Sequence, residues 1–321
     1  MTEDDQIYYS PYTLHSASGL NSASARRSFD GVLIRTKGGF GCIHPWPELG
    51  DPSLDKCLKD LRGKRRWPIV KRALRCAELD GKARQLEDWM FDEVELPKSH
   101  GTLVTLDTDN VTELHSAGFE TFKLKVGRNL SHEADLLNGL AKQFDQCRWR
   151  LDFNENADVE SVVRFIETLD EGARAAIDFL EDPVPYSPET WRRLRRKVGL
   201  NLAVDRESSV QSSVGQVMVI KPAIDEPWLL TEAAQRHGQG VVITSYMDHP
   251  LGQSFAAWEA VSMNASFPGA VGLCGLQTHG LFRPDAFTEC LGAPQPEFQP
   301  ARGTGLGFDD ELEELVWKRL D

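Results

Sequence analysis

The stretch TFKLKVG, residues 121–127, alternates apolar and polar side chains as a β-strand does. Phe122 and Leu124 fall on one face of that strand. Lys123 and Lys125 fall together on the other face, because side chains two residues apart on a strand point the same way. The apolar face predicts packing against helices, and the two adjacent ammonium groups indicate that the opposite face meets something other than a hydrophobic core.

The chain around this stretch repeats a rhythm of short apolar segments and amphipathic helical segments from about residue 101 onward. Eight segments are candidate strands, namely 102–108, 121–126, 149–154, 176–183, 201–205, 217–222, 241–245 and 270–276. Alternating strand and helix units predict a parallel sheet. Eight such units over ~200 residues favour an α/β fold of the (β/α)8-barrel type. An open doubly wound sheet is the alternative, and the chain has no GxGxxG or Walker sequence to favour it.

Residues 1 to about 95 lack this rhythm and predict an α+β capping domain. The sequence VLIRTKGGFG (32–41) indicates two strands joined by a glycine turn, and helical segments follow it. Residues from about 300 to 321 are expected to pack back on this part and complete it. The predicted division is therefore a capping domain over 1–95 plus about 300–321, and a barrel domain over 96–299. The small polar stretch 20–29 predicts a mobile loop.

Composition narrows the class of partner. The chain has 321 residues, a formal net charge of −13 and a sequence pI near 5.1. Nucleic acid and anionic membrane both favour basic surfaces, so neither is an expected partner, whereas a small carboxylate substrate is compatible. The acidic N-terminus has no apolar core of a signal peptide, and the six cysteines are scattered. These features predict a cytoplasmic protein and leave its oligomeric state open.

In a barrel, the functional face lies at the carboxyl ends of the strands. The last inward positions of five successive strands are all charged: Lys125, Asp152, Glu181, Asp205 and Lys221. Three carboxylates near one point repel each other unless a cation neutralises them. Oxygen ligands select a hard ion such as Mg²⁺. An ammonium beside that ion and beside Lys123 loses its proton more readily, so the pKa of Lys125 is expected to fall toward the ~7–8 that suits a general base.

Each of these residues also has a simple structural interpretation. A single Asp or Glu at a strand end is usually a turn or helix-capping residue. Lys123 and Lys125 are also typical of an exposed edge strand. These interpretations weaken jointly, because five independent occurrences would have to share phase and spacing. The histidines at 44, 249 and 279 lack paired metal-ligand spacing, which favours core or surface roles.

The lysine pair, RLDFN (150–154), LEDP (180–183), LAVD (202–205) and VIKP (219–222) resemble the enolase superfamily, in its muconate-lactonizing subgroup. Within the subgroup the chain most resembles the short bacterial o-succinylbenzoate synthases. GFGCIHPWPELGD (39–51), ITSYMDHPLG (243–252) and GLQTHGLF (275–282) contribute to that likeness. The resemblance implies a capped barrel, one Mg²⁺ with Mn²⁺ as a possible substitute, and dehydration of 2-succinyl-6-hydroxy-2,4-cyclohexadiene-1-carboxylate in menaquinone biosynthesis.

The resemblance also implies roles for individual residues. Asp152, Glu181 and Asp205 would hold the metal ion, with Asn154 and Arg150 supporting them. Lys125 would remove the α-proton and then protonate the leaving hydroxyl, while the charge of Lys221 would stabilise the intermediate. Ser245 and Gly275 correspond to positions that touch the succinyl tail. The loop that contains Asn21 and Ser22 would close over the substrate.

Three features depart from the family pattern. Lys221 follows Asp205 by only 16 residues, which predicts a short or missing helix between their strands. Residues 205–207 read DRE where relatives have Asp-Glu-Ser, and Cys42 stands where relatives often have Glu. These departures are expected to alter local structure and to leave the activity intact.

Two other classes of function remain open from the sequence. N-succinylamino acid racemases and dipeptide epimerases would use Lys125 and Lys221 as opposing bases. Dipeptide epimerases usually carry Asp-x-Asp after the eighth strand, where this chain reads GLCGLQTHG (272–280), and its length argues against a muconate cycloisomerase. A non-catalytic barrel that binds a carboxylate is the second class, and the complete set of acids and bases argues against it.

Overall fold

The backbone of the chain, seen in a computed structural model, forms two separate β-sheets. The structure describes residues 6–17, 19–20, 26–104 and 107–321. Within these residues the strands are β1 (Tyr8–His15), β2 (Ser28–Thr36), β3 (Gly39–Ile43), β4 (Gly101–Leu103), β5 (Thr121–Lys125), β6 (Arg148–Asp152), β7 (Ile177–Glu181), β8 (Leu202–Val204), β9 (Val217–Ile220), β10 (Gly240–Ile243) and β11 (Lys318–Arg319). The four-stranded sheet is antiparallel with the order β11-β1-β2-β3, and the seven-stranded sheet is parallel with the order β10-β9-β8-β7-β6-β5-β4.

Helices connect most of the strands. They are α1 (Leu54–Arg62), α2 (Pro68–Gln85), α3 (Thr108–Ser116), α4 (Leu130–Gln143), α5 (Val159–Thr168), α6 (Glu171–Ala175), α7 (Pro188–Val198), α8 (Pro227–Arg236), α9 (Pro250–Ser266), α10 (Ala286–Leu291) and α11 (Asp309–Glu313). Six of them begin after a residue whose side chain accepts a backbone N–H of the first turn, namely Asp107, Asn129, Asp158, Ser187, His249 and Asp285. No helix within the described residues is both long and apolar enough to cross a membrane.

The antiparallel sheet packs closely against α2. A Cβ placed on Gly39 would lie 2.2 Å from the backbone nitrogen of Gly81, so both residues must be small for the helix to reach the strand. The C-terminal tail joins the same sheet, because Tyr8 pairs with Arg319 and the amide of Leu320 bonds to the N-terminal part at 2.9 Å. The tail therefore completes the antiparallel sheet, while the domain boundaries at 95/96 and 299/300 stay predictions.

The parallel sheet curls into the expected barrel, with one correction. The predicted eighth strand, 270–276, forms single bridges instead of a regular strand: Cys274 pairs with Ser99, and Gly275 pairs with Thr244. The amide of His100 donates to the carbonyl of Cys274 at 2.9 Å, on the β4 side. Among the residues that the structure describes, the barrel therefore has seven regular strands, and the 270–276 segment connects its two edges.

Strand β5 has the two faces that its sequence predicts. Phe122 and Leu124 are fully buried, and the ring of Phe122 stacks on Trp149 at 5.4 Å between centroids. Lys123 and Lys125 are partly buried and line a cavity. The polar face of the strand therefore borders a cavity at the mouth of the barrel.

The connection between β8 and β9 contains no helix. Residues 205–216, all of which the structure describes, form turns and bends between the two strands. The short spacing between Asp205 and Lys221 predicted this. Without a helix to span, the loop keeps these two residues close to each other at one edge of the cavity.

A buried arginine links α2 to the barrel. The Nε of Arg72 donates to the carbonyl of Pro222 at 2.9 Å, directly after Lys221. Its Nη1 lies 3.0 Å from Glu226, and its Nη2 pairs with the buried Glu259. Through Arg72, α2 therefore fixes the turn that follows β9.

Replacing Arg72 by methionine is expected to lower the free energy of unfolding by about 3–5 kcal/mol, because Glu259 would stay buried without a cation. Urea unfolding measures the change. Arg75→Met, which removes an exposed arginine from the same helix, serves as the control and should change stability by less than about 0.5 kcal/mol. Equal stability of Arg72→Met and the unchanged protein would contradict this view of the link.

Candidate active site

The five predicted charged residues come together at the carboxyl ends of consecutive strands. Lys125, Asp152 and Glu181 end β5, β6 and β7. Lys125 lies opposite Asp152 in the sheet register, and Asp152 lies opposite Glu181. Asp205 directly follows β8, and Lys221 directly follows β9. The structure thus brings together the ring of residues that the sequence spacing predicts.

A cavity of about 280 Å³ opens at this end of the barrel. Lys125, Asp152, Asp205 and Lys221 line it directly. Glu181 is 2% exposed and contacts the cavity through Lys123, which it pairs with. The volume is close to the lower end of the range for small-molecule sites, so the cavity suits a compact substrate.

Two ammonium groups lie among the three carboxylates. Lys123 Nζ lies 2.6 Å from Glu181 Oε1 and 3.1 Å from Asp152 Oδ2. Lys221 Nζ lies 2.5 Å from both carboxylate oxygens of Asp205. Each carboxylate therefore has a lysine partner at ion-pair distance.

Lys125 differs from these two lysines in its surroundings. Its Nζ donates a hydrogen bond to the backbone carbonyl of Leu20 at 2.6 Å. Burial, together with the charges of Lys123 and Lys221, lowers the pKa of Lys125 to about 8, although nearby carboxylates act in the opposite direction. Burial also acts to lower the pKa of Lys123 and of Lys221, but the adjacent carboxylates raise both above the usual lysine value. Lys123 thus acts on Lys125 in the predicted direction, and burial contributes more.

The carboxylates also differ from one another. Burial and the charges of Asp152 and Asp205 raise the pKa of Glu181 to about 7, against the opposing effect of Lys123. For Asp152, burial is outweighed by the two lysines of β5, so its pKa lies below the usual value. The charges of the other two carboxylates therefore still act on Glu181, although two ammonium groups lie among the three.

Backbone strain accompanies the ends of three strands. Asn154, Asp182 and Met247 have positive φ values of 50°, 39° and 49°. The carboxylate of Asp182 accepts the backbone amides of Asp205 and Arg206 at 3.0 and 2.9 Å. Such strain persists where surrounding contacts fix the backbone, and it is frequent at functional sites. Here it orients the segment that carries Asp205.

Two sequence families match the chain. The family described as O-succinylbenzoate synthase, N-terminal domain, matches residues 7–83, and the enolase C-terminal domain-like family matches residues 107–218. An o-succinylbenzoate synthase from Bdellovibrio bacteriovorus is 33% identical over 98% of this chain and 98% of its own length. The chain belongs to the o-succinylbenzoate synthase family. It is therefore an enzyme of the enolase superfamily.

Solved structures of the superfamily share the fold. An N-succinyl Arg/Lys racemase from Bacillus cereus has a TM-score of 0.79 at 16% identity and covers 98% of this chain and 99% of its own. A dipeptide epimerase from Enterococcus faecalis, solved with Mg and the dipeptide L-Leu-L-Tyr, has a TM-score of 0.78 at 17% identity and covers 94% of this chain and 98% of its own. At these identities the likeness extends to the two-part fold alone.

Members of the enolase superfamily bind Mg²⁺ through side-chain donor groups. Among the described side chains, no group of three or more His, Cys, Asp or Glu residues is arranged as a ready metal site. The ammonium groups of Lys123 and Lys221 lie at the carboxylate oxygens that would face an ion. The donors themselves fit Mg²⁺, because all three are carboxylates and a divalent cation would relieve their repulsion.

Arg150 and Asn154 both occur near the site. The Nη1 of Arg150 bonds to His100 Nδ1 at 2.9 Å and to the carbonyl of Leu273 at 2.8 Å, while its Nε bonds to Asp178. Arg150 therefore ties β6 to the segment that closes the barrel. Asn154 lines the cavity, and its backbone amide donates to Asp152 Oδ1 at 3.0 Å, which orients that carboxylate.

The predicted substrate contacts divide into two groups. Ser245 and Gly275 line the cavity. Ser245 Oγ lies 2.7 Å from the hydroxyl of Thr278. Asn21 and Ser22 lie outside the residues that the structure describes.

Several residues of the cavity were not predicted from the sequence, among them His100, Thr244, Thr278 and Asp225. His100 is buried between the barrel edges, and burial together with the charge of Arg150 lowers its pKa. Thr244 Oγ1 is buried and has no hydrogen-bond partner within the described part of the chain, which suits it to meet a substrate oxygen. Thr244 directly follows β10, so the strand-end rule that found Lys125 could have found it. His100 precedes β4, so a rule that reads the carboxyl ends of strands does not reach it.

Gly275 must lack a side chain, because a Cβ there would lie 2.7 Å from His100 Cε1 and 2.9 Å from Thr244 Cγ2. Gly275→Ala is therefore expected to push His100 away from Arg150 and to lower the free energy of unfolding by about 1–3 kcal/mol. Urea unfolding gives the size of the loss. Gly139→Ala in α4, where a Cβ meets nothing within 4 Å, is the control and should not lose stability. Parallel behaviour of the two variants would contradict the proposed contact.

Proposed function

We propose that this enzyme catalyses the Mg²⁺-dependent removal of water from 2-succinyl-6-hydroxy-2,4-cyclohexadiene-1-carboxylate to give o-succinylbenzoate. The observation that carries the proposal is the 33% identity with an o-succinylbenzoate synthase over 98% of both chains. The convergence of three lysines and three carboxylates at one end of the barrel supports it. We further propose menaquinone biosynthesis as its pathway and the cytoplasm as its location.

Asp152, Glu181 and Asp205 are the proposed ligands of Mg²⁺, and Mn²⁺ is a possible substitute. When bound, the ion supplies positive charge to the substrate carboxylate, where negative charge develops during the reaction. The pairs of these carboxylates with Lys123 and Lys221 would loosen as the substrate and the ion enter. Asn154 and Arg150 would support this group by fixing β6 and its carboxylate.

Lys125 is the proposed general base and general acid. Its Nζ, as a free amine, takes the proton from C1, the carbon that bears the carboxylate, and leaves an enediolate. The ammonium that results then gives that proton to the hydroxyl group on C6. The C6–O bond breaks, water leaves, and a C1=C6 double bond completes the aromatic ring. The substrate thus loses one hydrogen and one hydroxyl, and the lysine returns to its first state.

Lys221 and Lys123 are proposed to act as fixed positive charges. Their pKa values lie above the usual lysine value, since the neighbouring carboxylates outweigh burial. Both therefore stay protonated at neutral pH. Lys221 is proposed to face the enediolate from across the cavity and to stabilise its negative charge.

The reaction rate should depend on pH through Lys125, whose pKa is lowered to about 8. Below that pH the ammonium form cannot accept a proton. We therefore expect kcat/KM to rise with pH and to level off above pH 8. A rate profile between pH 6 and pH 9.5 measures this, and a rate that is flat across that range would contradict the assignment.

Ser245 and Gly275 are the proposed contacts of the succinyl tail, with Asn21 and Ser22 closing over it. The hydroxyls of Ser245 and Thr278 provide neutral hydrogen-bond donors for a carboxylate. The tail would then lie across the cavity from the carboxylates of the barrel.

Racemisation of an N-succinylamino acid is the alternative function. Lys125 and Lys221 both line the cavity, which a two-base racemase requires. The racemase from Bacillus cereus with a similar fold makes this substrate class a useful comparison.

The deciding experiment incubates the purified enzyme with each substrate, with and without Mg²⁺. We expect Mg²⁺-dependent formation of o-succinylbenzoate, followed by its ultraviolet absorption. For N-succinylamino acids, exchange of the α-proton in deuterated water is followed by NMR. Exchange without any formation of o-succinylbenzoate would overturn the proposal in favour of the racemase.

A further inference from the structure

Positive charge is concentrated in one short part of this acidic chain. Nine of the 36 lysine and arginine residues lie between residues 56 and 75, together with a single carboxylate, Asp60. The whole chain carries a net charge of −13. This part covers most of α1, the start of α2 and the turn between them, far along the chain from the barrel residues of the active site. The catalytic cavity therefore does not account for it.

The basic part borders a cavity of about 750 Å³. The cavity lies between the end of α1, one face of α2, the residues just before β1, the end of β2 and β11. Apolar side chains contribute to its lining, namely Ile7, Leu61, Leu74 and Leu320. Six cationic side chains also line it, namely Lys37, Arg62, Arg65, Lys71, Arg75 and Arg319. None of the described residues that line it belongs to the active-site cavity.

The carboxylates in this cavity do not balance its cations. Glu78 and Asp321 are the two acidic side chains of its described lining. Glu78 is shared between Arg75 at 3.3 Å and Lys82 at 2.8 Å, and Asp321 lies 3.6 Å from Arg319. Within the described lining, six cations thus face two carboxylates, which is an excess of positive charge.

The backbone at Arg65 gives a second, independent indication. Arg65 has a φ of 51°, in the left-handed region that residues with a side chain rarely adopt. Its amide bonds to the carbonyl of Asp60 at 3.1 Å, which holds the turn after α1. Non-glycine residues in this region are often kept for function. The strained turn presents the Arg65 side chain to the cavity.

We infer that this cavity binds a small organic molecule with an apolar body and an anionic group, either carboxylate or phosphate. The volume lies within the range of small-molecule sites. Leu61, Leu74 and their apolar neighbours would cover the body of the ligand. Guanidinium groups bind carboxylate and phosphate through paired hydrogen bonds, and Arg62 and Arg65 supply two such groups at one side. A nucleic acid is the wrong size for this concave site, and the acidic remainder of the chain would repel it.

The test uses 1-anilinonaphthalene-8-sulfonate, an aromatic anion whose fluorescence rises in apolar sites. The full-length protein is titrated with this probe at low and at high salt. We expect Arg62→Gln/Arg65→Gln to weaken binding by about tenfold or more, and Lys71→Gln/Arg75→Gln to do the same. Affinity should also fall with salt, because the contacts are ionic.

The matched control is Arg192→Gln/Arg193→Gln, which removes two exposed arginines from α7 and changes the net charge equally. It should bind the probe within twofold of the unchanged protein. Equal weakening in the control, no weakening in either cavity pair, or no probe binding by the unchanged protein would each overturn the inference. Because the readout is binding, its result is independent of the catalysed reaction.

Competition then distinguishes the anionic groups. Benzoate and phenyl phosphate are added to the complex of protein and probe, and acetate serves as the competitor without an apolar body. Displacement by benzoate assigns carboxylate, and displacement by phenyl phosphate assigns phosphate. If acetate displaces the probe as strongly as both aromatic anions do, the proposed apolar body of the ligand is contradicted. If none of the three displaces the probe, the proposed ligand class is contradicted.

Discussion

Replacing Lys125 by alanine is expected to lower the rate of o-succinylbenzoate formation by about 10²–10⁴-fold, the usual contribution of a general acid–base group. Lys125 is the lysine of the ring whose pKa is lowered, to about 8, and it donates to a backbone carbonyl while Lys123 and Lys221 pair with carboxylates. It is therefore the best placed of the three to give up and regain a proton near neutral pH. Steady-state kinetics with saturating Mg²⁺ measure the loss.

Two further variants separate proton transfer from the loss of a charge. Lys125→Arg keeps a cation in the cavity, but a guanidinium does not release its proton in proteins, so this variant should be as slow as the alanine variant. Lys197→Ala removes an exposed lysine from α7 and should leave the rate unchanged. Near-normal turnover by Lys125→Ala would assign the proton transfer to another group.

The residues of this site could be predicted from the sequence because strand parity and strand ends are local properties. Lys123 and Lys125 alternate with Phe122 and Leu124, so the side of β5 that faces the cavity follows from a few residues. The same parity brings Asp152 to the inner face of β6. The end of each strand could be located from its apolar run, and parallel strands in one sheet present those ends at one edge.

The closing segment of the barrel could not be predicted in the same way. The sequence of 270–276 is as apolar as a strand, yet the segment makes single bridges to each side. Its geometry depends on Gly275, which His100 approaches, and on Arg150, whose guanidinium bonds to the carbonyl of Leu273. Such contacts join residues more than 100 positions apart, and local periodicity holds no information about them.

The partner of each lysine also depends on distant residues. The neighbouring sequence does not distinguish Lys123 from Lys125, since both lie on one face of one strand. In the folded chain one meets Glu181, 58 positions away, and the other meets the carbonyl of Leu20, 105 positions away. The direction of each pKa shift follows from these contacts.

Asp205→Asn is expected to weaken Mg²⁺ binding by at least about 100-fold, the upper end of what the loss of an outer partner costs a metal site. Asp205 is the proposed third ligand. The Asn side chain has nearly the same shape as Asp, but it has no negative charge to bind the ion. Isothermal titration calorimetry of the purified protein measures the dissociation constant without reference to turnover. Circular dichroism of the variant checks that the backbone fold is kept.

Asp225→Asn is the matched control, because it makes the same chemical change in the same cavity. Asp225 accepts the backbone amide of Lys221 at 2.7 Å and is not one of the proposed ligands. Its variant should bind Mg²⁺ within about tenfold of the unchanged protein, since it alters only the nearby charge. Equal losses of Mg²⁺ affinity in the two variants would mean that the total negative charge of the cavity attracts the ion, without a specific role for Asp205. An unchanged affinity in Asp205→Asn would instead move the third ligand to Glu207, which lines the cavity two residues further on.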